Sequence, residues 1–250
     1  MISLNQLTSL ANVLKTVDAK TAKTLIKLVS VDVLKSLGDD KFLIKLDNKE
    51  LIAQSQKQLQ ENSKYFARFQ SHKQNLPTLS NLTKIPKLLS HMSILKNTEL
   101  VYDIKTLTTI LSSKKALNNF KETILKELQN SPNKEHFHTV SNLLLALNQN
   151  ILNFPFIFYE YLGFLQLKKR YNKKTKKSFI DFYAIFENLG AISGLISEDI
   201  IKINVMYEEI KEFLEDNLDE ISYDVKISVV EDIKPLYDIN TNNNLLDIVT

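Results

Sequence analysis

The residues with any capacity for metal or acid–base chemistry are few. The sequence contains four histidines and no cysteine. His136 and His138, beside Glu135, form a His-x-His pair of the kind that can hold a metal. No third ligand falls at a matching spacing, and on a helix positions i and i+2 point apart. A surface or capping role near a helix start is the simpler reading. His72 and His91 stand alone. Asp39-Asp40 and Asp47-Asn48 have the chemistry of tight turns, since the twelve-residue calcium-loop pattern is missing. Glu208, Glu209, Glu212, Glu215, Asp216, Asp219 and Glu220 line the polar side of one helix. That pattern reads as a solvated face or as a face for a basic partner. Paired-carboxylate hydrolysis needs acids across a cleft, which one helix face does not supply. No nucleophile can be placed beside a base, so no catalytic residues, metal ligands or cofactor are expected and the chain reads as non-enzymatic.

Composition narrows the classes further. Without cysteine there are no disulfides, thiolate zinc sites or iron–sulfur clusters. Only four glycines occur in 250 residues, and neither G-x-G-x-x-G nor G-x-x-x-x-G-K is present. Hydrophobic content of 44% and charged content of 24% suit a folded domain or two. No uninterrupted apolar run approaches ~18 residues, so no membrane span is expected. Met1 to Gln6 show neither the basic start nor the apolar core of a cleaved leader, which leads us to expect a cytoplasmic protein. The net charge of +3 hides an asymmetry: residues 178–250 hold four lysines and sixteen acids, a balance of −12, leaving +15 on residues 1–177. The two halves either attract each other or face oppositely charged partners. Arginine occurs only at 68 and 170. Bidentate reading of phosphate or guanine favours arginine, so no specific nucleic-acid partner is expected.

The elements that would position these residues follow from apolar rhythm. Leu4, Leu7, Leu10, Ala11, Leu14 and Val17 make a helical stripe, and Asp18 can cap a second helix over 19–29. Residues 31–37, 41–46, 50–55 and 64–70 read as short strands joined by tight turns, a small meander or partial barrel. An oligonucleotide-binding barrel would have this shape, but Tyr65, Phe66 and Phe69 are more simply core than a stacking platform. Residues 76–82 read as a connector behind Pro77. Residues 84–149 read as three or four helices, the last carrying Val140, Leu143, Leu144, Leu145 and Leu147 and too apolar to face water. Residues 151–167 are aromatic-dense, with Pro155 arguing for an edge or a strand start. Residues 168–177 carry seven positive charges in ten. They read as a solvated hairpin loop or, more sharply, as a docking loop for an acidic partner or a membrane surface.

From Lys177 onward the rhythm alternates, changes and returns. Residues 178–186 read as a strand, and a turn at Asn188 leads into Leu189-Gly190 and a strand to Ile196. Residues 200–206 alternate. Ile210, Phe213, Leu214, Leu218 and Ile221 fall at helical spacing on an acidic amphipathic helix, and Tyr223, Val225, Ile227 and Val229 alternate again. The fold class is therefore α+β, in three parts. Residues 1–75 hold an N-terminal helix and a small β-meander. Residues 76–150 are helical. Residues 151–250 form a mixed sheet with one amphipathic helix.

This last block resembles the C-terminal domain of the flagellar hook-length control protein: an extended segment (Phe182 to Phe186), the Leu189-Gly190 turn, then Ile192, Leu195 and Ile196, then Ile201, Ile203 and Val205, the helix over 208–218 and a strand over 225–229. The N-terminal meander with its Leu-Ile-Ala-Gln-Ser run resembles a small sheet near the start of longer relatives. Two departures stand out. Phe186-Glu187-Asn188 replaces the family's acidic pair and proline, and the long Pro/Gln-rich ruler segment is missing. The resemblance implies a protein of flagellar type III export that docks on the export gate or its substrates, with Asn188, Leu189, Gly190 and Ile192 at the protein-binding site. The helical middle suggests an alternative, an export co-chaperone that binds a flagellin chaperone through residues 84–149.

Overall fold

The computed structural model describes residues 28–71, 75–112, 116–158, 161–174, 176–186, 189–197, 200–216, 218 and 224–239. The helical stripe expected before residue 28 and His72 lie outside them.

The N-terminal strands form a closed barrel, ordered β1-β2-β3-β5-β4 and sealed by β1 against β4. Its members are β1 (Val29–Gly38), β2 (Lys41–Leu46), β3 (Lys49–Gln54), β4 (Ser63–Gln70) and β5 (Thr78–Lys84). Closing the five strands on one another removes the free sheet edges. Alternation fills the interior with Val31, Val33, Phe42, Ile44, Ala53, Tyr65, Ala67 and Leu79, all buried. The β2–β3 hairpin turns on Asp47 and Asn48, both at positive φ (48° and 66°), the combination a two-residue type I′ turn requires. Tyr65 and Phe66 are buried, so both serve as core.

Two expectations are corrected here. Val29 opens β1 instead of ending a helix, because Val29, Val31 and Val33 alternate against β4. Residues 76–82 are not a mere connector: β5 closes the barrel, pairing antiparallel with β4 and touching β3 in parallel through Gln54 and Thr78. The barrel thus extends past residue 75.

The chain then forms α1 (Lys87–His91), a 3₁₀ turn (Met92–Leu95), the two-residue strand β6 (Tyr102–Asp103), and helices α2 (Ile104–Ser112), α3 (Ala116–Gln129) and α4 (Lys134–Asn148). A seven-stranded mixed sheet follows, in the order β12-β11-β10-β9-β8-β7-β6. It comprises β7 (Ile151–Phe158), β8 (Tyr161–Asn172), β9 (Lys177–Phe186), β10 (Gly190–Ile196), β11 (Ile200–Val205) and β12 (Asp224–Val229). The amphipathic helix α5 (Glu208–Glu215) links β11 to β12, and those two strands run parallel as a helical crossover demands. α5 ends at Glu215, short of the expected Leu218, which is half-buried. Ile221 lies outside the described residues. Pro155 sits inside β7, whose outer neighbour β6 contributes only two paired residues, so most of β7 is an edge. No helix among the described residues is long and apolar enough to cross a membrane.

Strand register explains how both sheet faces are covered. Phe154, Leu165, Ala184, Ile192 and Val205 are successive cross-strand partners on one face. Phe120 of α3 packs on Phe154 there, ring centroids 4.8 Å apart. The next row, Asn153, Gln166, Tyr183, Ser193 and Asn204, points the other way. Gln166 is fully buried in this row and holds the segment after β12. Its Nε2 donates to Asn153 Oδ1 (2.8 Å) and Tyr237 O (2.7 Å), while its Oε1 accepts from the Leu236 and Tyr237 amides at 2.8 and 3.2 Å. Ile233 is buried with the same segment. Gln166→Leu leaves these strap amides without their partner, and we expect it to lower stability by about 2–4 kcal/mol. A urea titration measures the loss, and hydrogen exchange should show the Leu236 amide opening first.

A candidate docking site at the barrel–sheet junction

Of the residues singled out by resemblance, Leu189, Gly190 and Ile192 sit where β10 begins. Asn188 lies outside the described residues. Leu189 and Ile192 are buried at 1% and 6% exposure, so neither presents a side chain to a partner. Both faces of the sheet are covered at the start of β10, so Gly190, Ala191 and Ile192 are all buried. Gly190 has φ +73°, a left-handed conformation that glycine adopts without strain. A Cβ there would meet Tyr207 Cε2 at 2.8 Å. The Leu189-Gly190 turn therefore makes room for Tyr207.

Tyr207 stands between β11 and α5, in the extended position that precedes the helix. It is 2% exposed. Its hydroxyl donates to Asn81 O of β5 (2.8 Å) and lies 3.3 Å from Thr83 Oγ1. The Thr83 hydroxyl also reaches Met206 Sδ at 3.0 Å. Burial pushes the Tyr207 pKa above its ordinary value. Arg68 of β4 approaches the same ring, its guanidinium carbon 5.9 Å from the centroid, and forms an ion pair with Glu209 at 2.5 Å. The hydrogen bond from Arg68 holds the Glu209 carboxyl below the usual carboxylate range. One tyrosine and one arginine thus clamp the barrel to the turn that starts α5.

A cleft of about 830 Å³ opens beside this clamp. Asp39 and Asp40 from the β1–β2 turn, Lys57, the Ser80–Leu82 stretch of β5, Tyr207 and Glu231 border it. Three carboxylates against one ammonium make it a setting for cationic or amide groups. No lining residue pairs a nucleophile with a base.

The histidine pair is not brought together as a ligand set. His136 is buried on the inner face of α4, its Nδ1 3.0 Å from Ser131 Oγ and its Nε2 3.7 Å from a Glu127 oxygen. This corrects the surface reading: His136 shares a helix face with the buried Val140 and Leu143. Asn133 caps the helix, accepting from the His136 amide at 2.9 Å. His138 is half-buried and His91 exposed. Among the described residues, no group of three or more His, Asp or Glu side chains could hold a metal ion.

Sequence reasoning missed Arg68, Asn81, Thr83 and Tyr207. The scarcity of arginine was a usable signal, since both arginines form carboxylate pairs, Arg68 with Glu209 and Arg170 with Asp181. Comparison with protein-family models, with curated proteins and with solved structures returns no match.

Two outcomes follow from this geometry. Gly190→Ala strains the backbone and pushes on the Tyr207 ring; a loss of about 1–3 kcal/mol in thermal or urea unfolding is expected. The second concerns pH. A carboxylate whose pKa is lowered by folding stabilises above the unfolded carboxylate range, and the contribution fades as pH falls. Both partners are substantially exposed, so Arg68→Met should cost at most about 1 kcal/mol at pH 7. Its gap to the parent protein should narrow below about pH 4. Parallel urea titrations at the two pH values check it.

Proposed function

We propose that this protein is a non-enzymatic, cytoplasmic component of flagellar type III export, of the hook-length-control kind, which docks through its C-terminal unit on the export gate or on export substrates. The observation that carries the reading is the element order after Lys177: strand, Leu-Gly turn, strand, strand, amphipathic helix, closing strand. It is the order on which the family resemblance rests, with the helix ending at Glu215. Because Leu189 and Ile192 are internal, the docking contacts must come from the outer surface of the unit. Two surfaces are available there. Glu208, Glu212, Glu215 and Asp216 are exposed on α5 and suit a basic partner. β12 is the last strand of the sheet among the described residues, and an edge strand suits strand addition.

The alternative, a co-chaperone acting through the helical middle, has a narrower basis. The apolar stripes of α3 and α4 are occupied by the sheet core, with Phe120, Ile124, Val140 and Leu143 buried. Leu125 and Phe137 remain exposed at 41% and 48%, and these favour the reading.

Site-directed photo-crosslinking separates the two. A photoreactive residue at Asn188 or Glu212 should capture the cytoplasmic part of the export gate, while the same residue at Leu125 or Phe137 should not. Capture of a flagellin chaperone at 125 or 137, with nothing at 188 or 212, would move the function to the helices. Silence at all four positions would overturn both readings.

A further inference from the structure

The hairpin between β8 and β9 outgrows the sheet that carries it. β7 pairs with β8 only as far as Lys168, and β10 pairs with β9 only as far as Ile180. Arg170 to Asn172 therefore ladder against Lys177 to Phe179 beyond the reach of both neighbouring strands. At about 3.3 Å per residue, this two-stranded ribbon projects roughly 10 Å beyond its neighbours before the tip is counted. Lys169, Arg170, Tyr171, Asn172, Lys173, Lys174, Lys176 and Lys177 are exposed, Tyr171 at 58%.

The ribbon's charge is concentrated, seven cations within residues 168–177. Arg170 is taken up by Asp181 on the facing strand. Asp181 is also the only acid between residues 164 and 186. We propose that this ribbon adsorbs the protein onto anionic lipid surfaces. Lys169, Lys173, Lys174 and Lys176 supply the attraction, and the Tyr171 ring sits at the headgroup level.

Two observations favour a bilayer over a nucleic acid. Lys169, Lys173, Lys174 and Lys176 are flexible point charges suited to a diffuse anionic field, and the arginine fork is engaged by Asp181. Its exposed aromatic residue is a tyrosine, whose apolar ring and polar tip match the water–lipid boundary. The charge asymmetry also acquires a direction, since the cationic ribbon and the acidic face of α5 can address different partners.

This proposal stands apart from the gate-docking reading, because it rests on the ribbon alone and can fail or succeed while the crosslinks do the opposite. The test is vesicle flotation of the full chain on phosphatidylglycerol–phosphatidylcholine mixtures, on phosphatidylcholine alone, and in parallel a titration with single-stranded and duplex DNA, all at about 0.1 M salt. Binding is expected on the anionic vesicles only, weakening as salt rises. A lysine near the surface is worth about fivefold in binding, so the Lys169→Glu, Lys173→Glu, Lys174→Glu triple variant should bind at least about a hundredfold more weakly. Tyr171→Ser should weaken vesicle binding severalfold with an unchanged circular dichroism spectrum. The proposal is overturned by absent binding, by equal binding to neutral vesicles, by a folded triple variant that binds like the parent, or by tighter binding to DNA than to anionic vesicles.

Discussion

The structure turns on one buried phenol. Tyr207 closes β11, opens α5 and reaches across to β5, where its hydroxyl is hydrogen-bonded to a backbone carbonyl of the barrel. A tyrosine hydroxyl removed from water without a partner costs free energy, so the tyrosine fixes how close β5 must come. Gly190 leaves the space the ring needs, and Arg68 lies against the ring while pairing with Glu209. The barrel has its own apolar interior, and the sheet with its helices has another. Phe66 and Ile85, from β4 and the residue after β5, belong to the larger of these, so apolar packing runs alongside the polar clamp.

Most of the C-terminal fold was legible because its signals are local. Alternation in Ile201, Ile203 and Val205 and the spacing of Ile210, Phe213 and Leu214 each declare a buried face within one element. β5 was not legible for the opposite reason. Thr78-Leu79-Ser80-Asn81-Leu82 is largely polar, Asn81 sits at positive φ, and the strand earns its place by pairing with a strand that precedes it across a long loop. The site was half legible. A scarce glycine after Leu189 drew attention, but the reason for it is Tyr207, which no spacing rule connects to position 190. His136 misled for a similar reason: a polar residue at a helix start reads as exposed until the packing around it is seen.

Charge is distributed in a way that packing alone does not require. Arg68 with Glu209 and Lys57 with Asp232 bring the basic and acidic portions of the chain together, the second at 3.9 Å and between half-exposed groups. Pairs of that kind contribute little to stability. The densest run of cations lies on the β8–β9 ribbon, and α5 exposes Glu208, Glu212 and Glu215, so both clusters are on the surface where partners meet them.

If the Tyr207 clamp and the packing beside it make barrel and sheet a single folding unit, differential scanning calorimetry of the whole chain is the direct measurement. One transition, with calorimetric and van't Hoff enthalpies equal, is the expected result. Two separable transitions, or a calorimetric enthalpy well above the van't Hoff value, would show the barrel melting apart from the sheet and would contradict it.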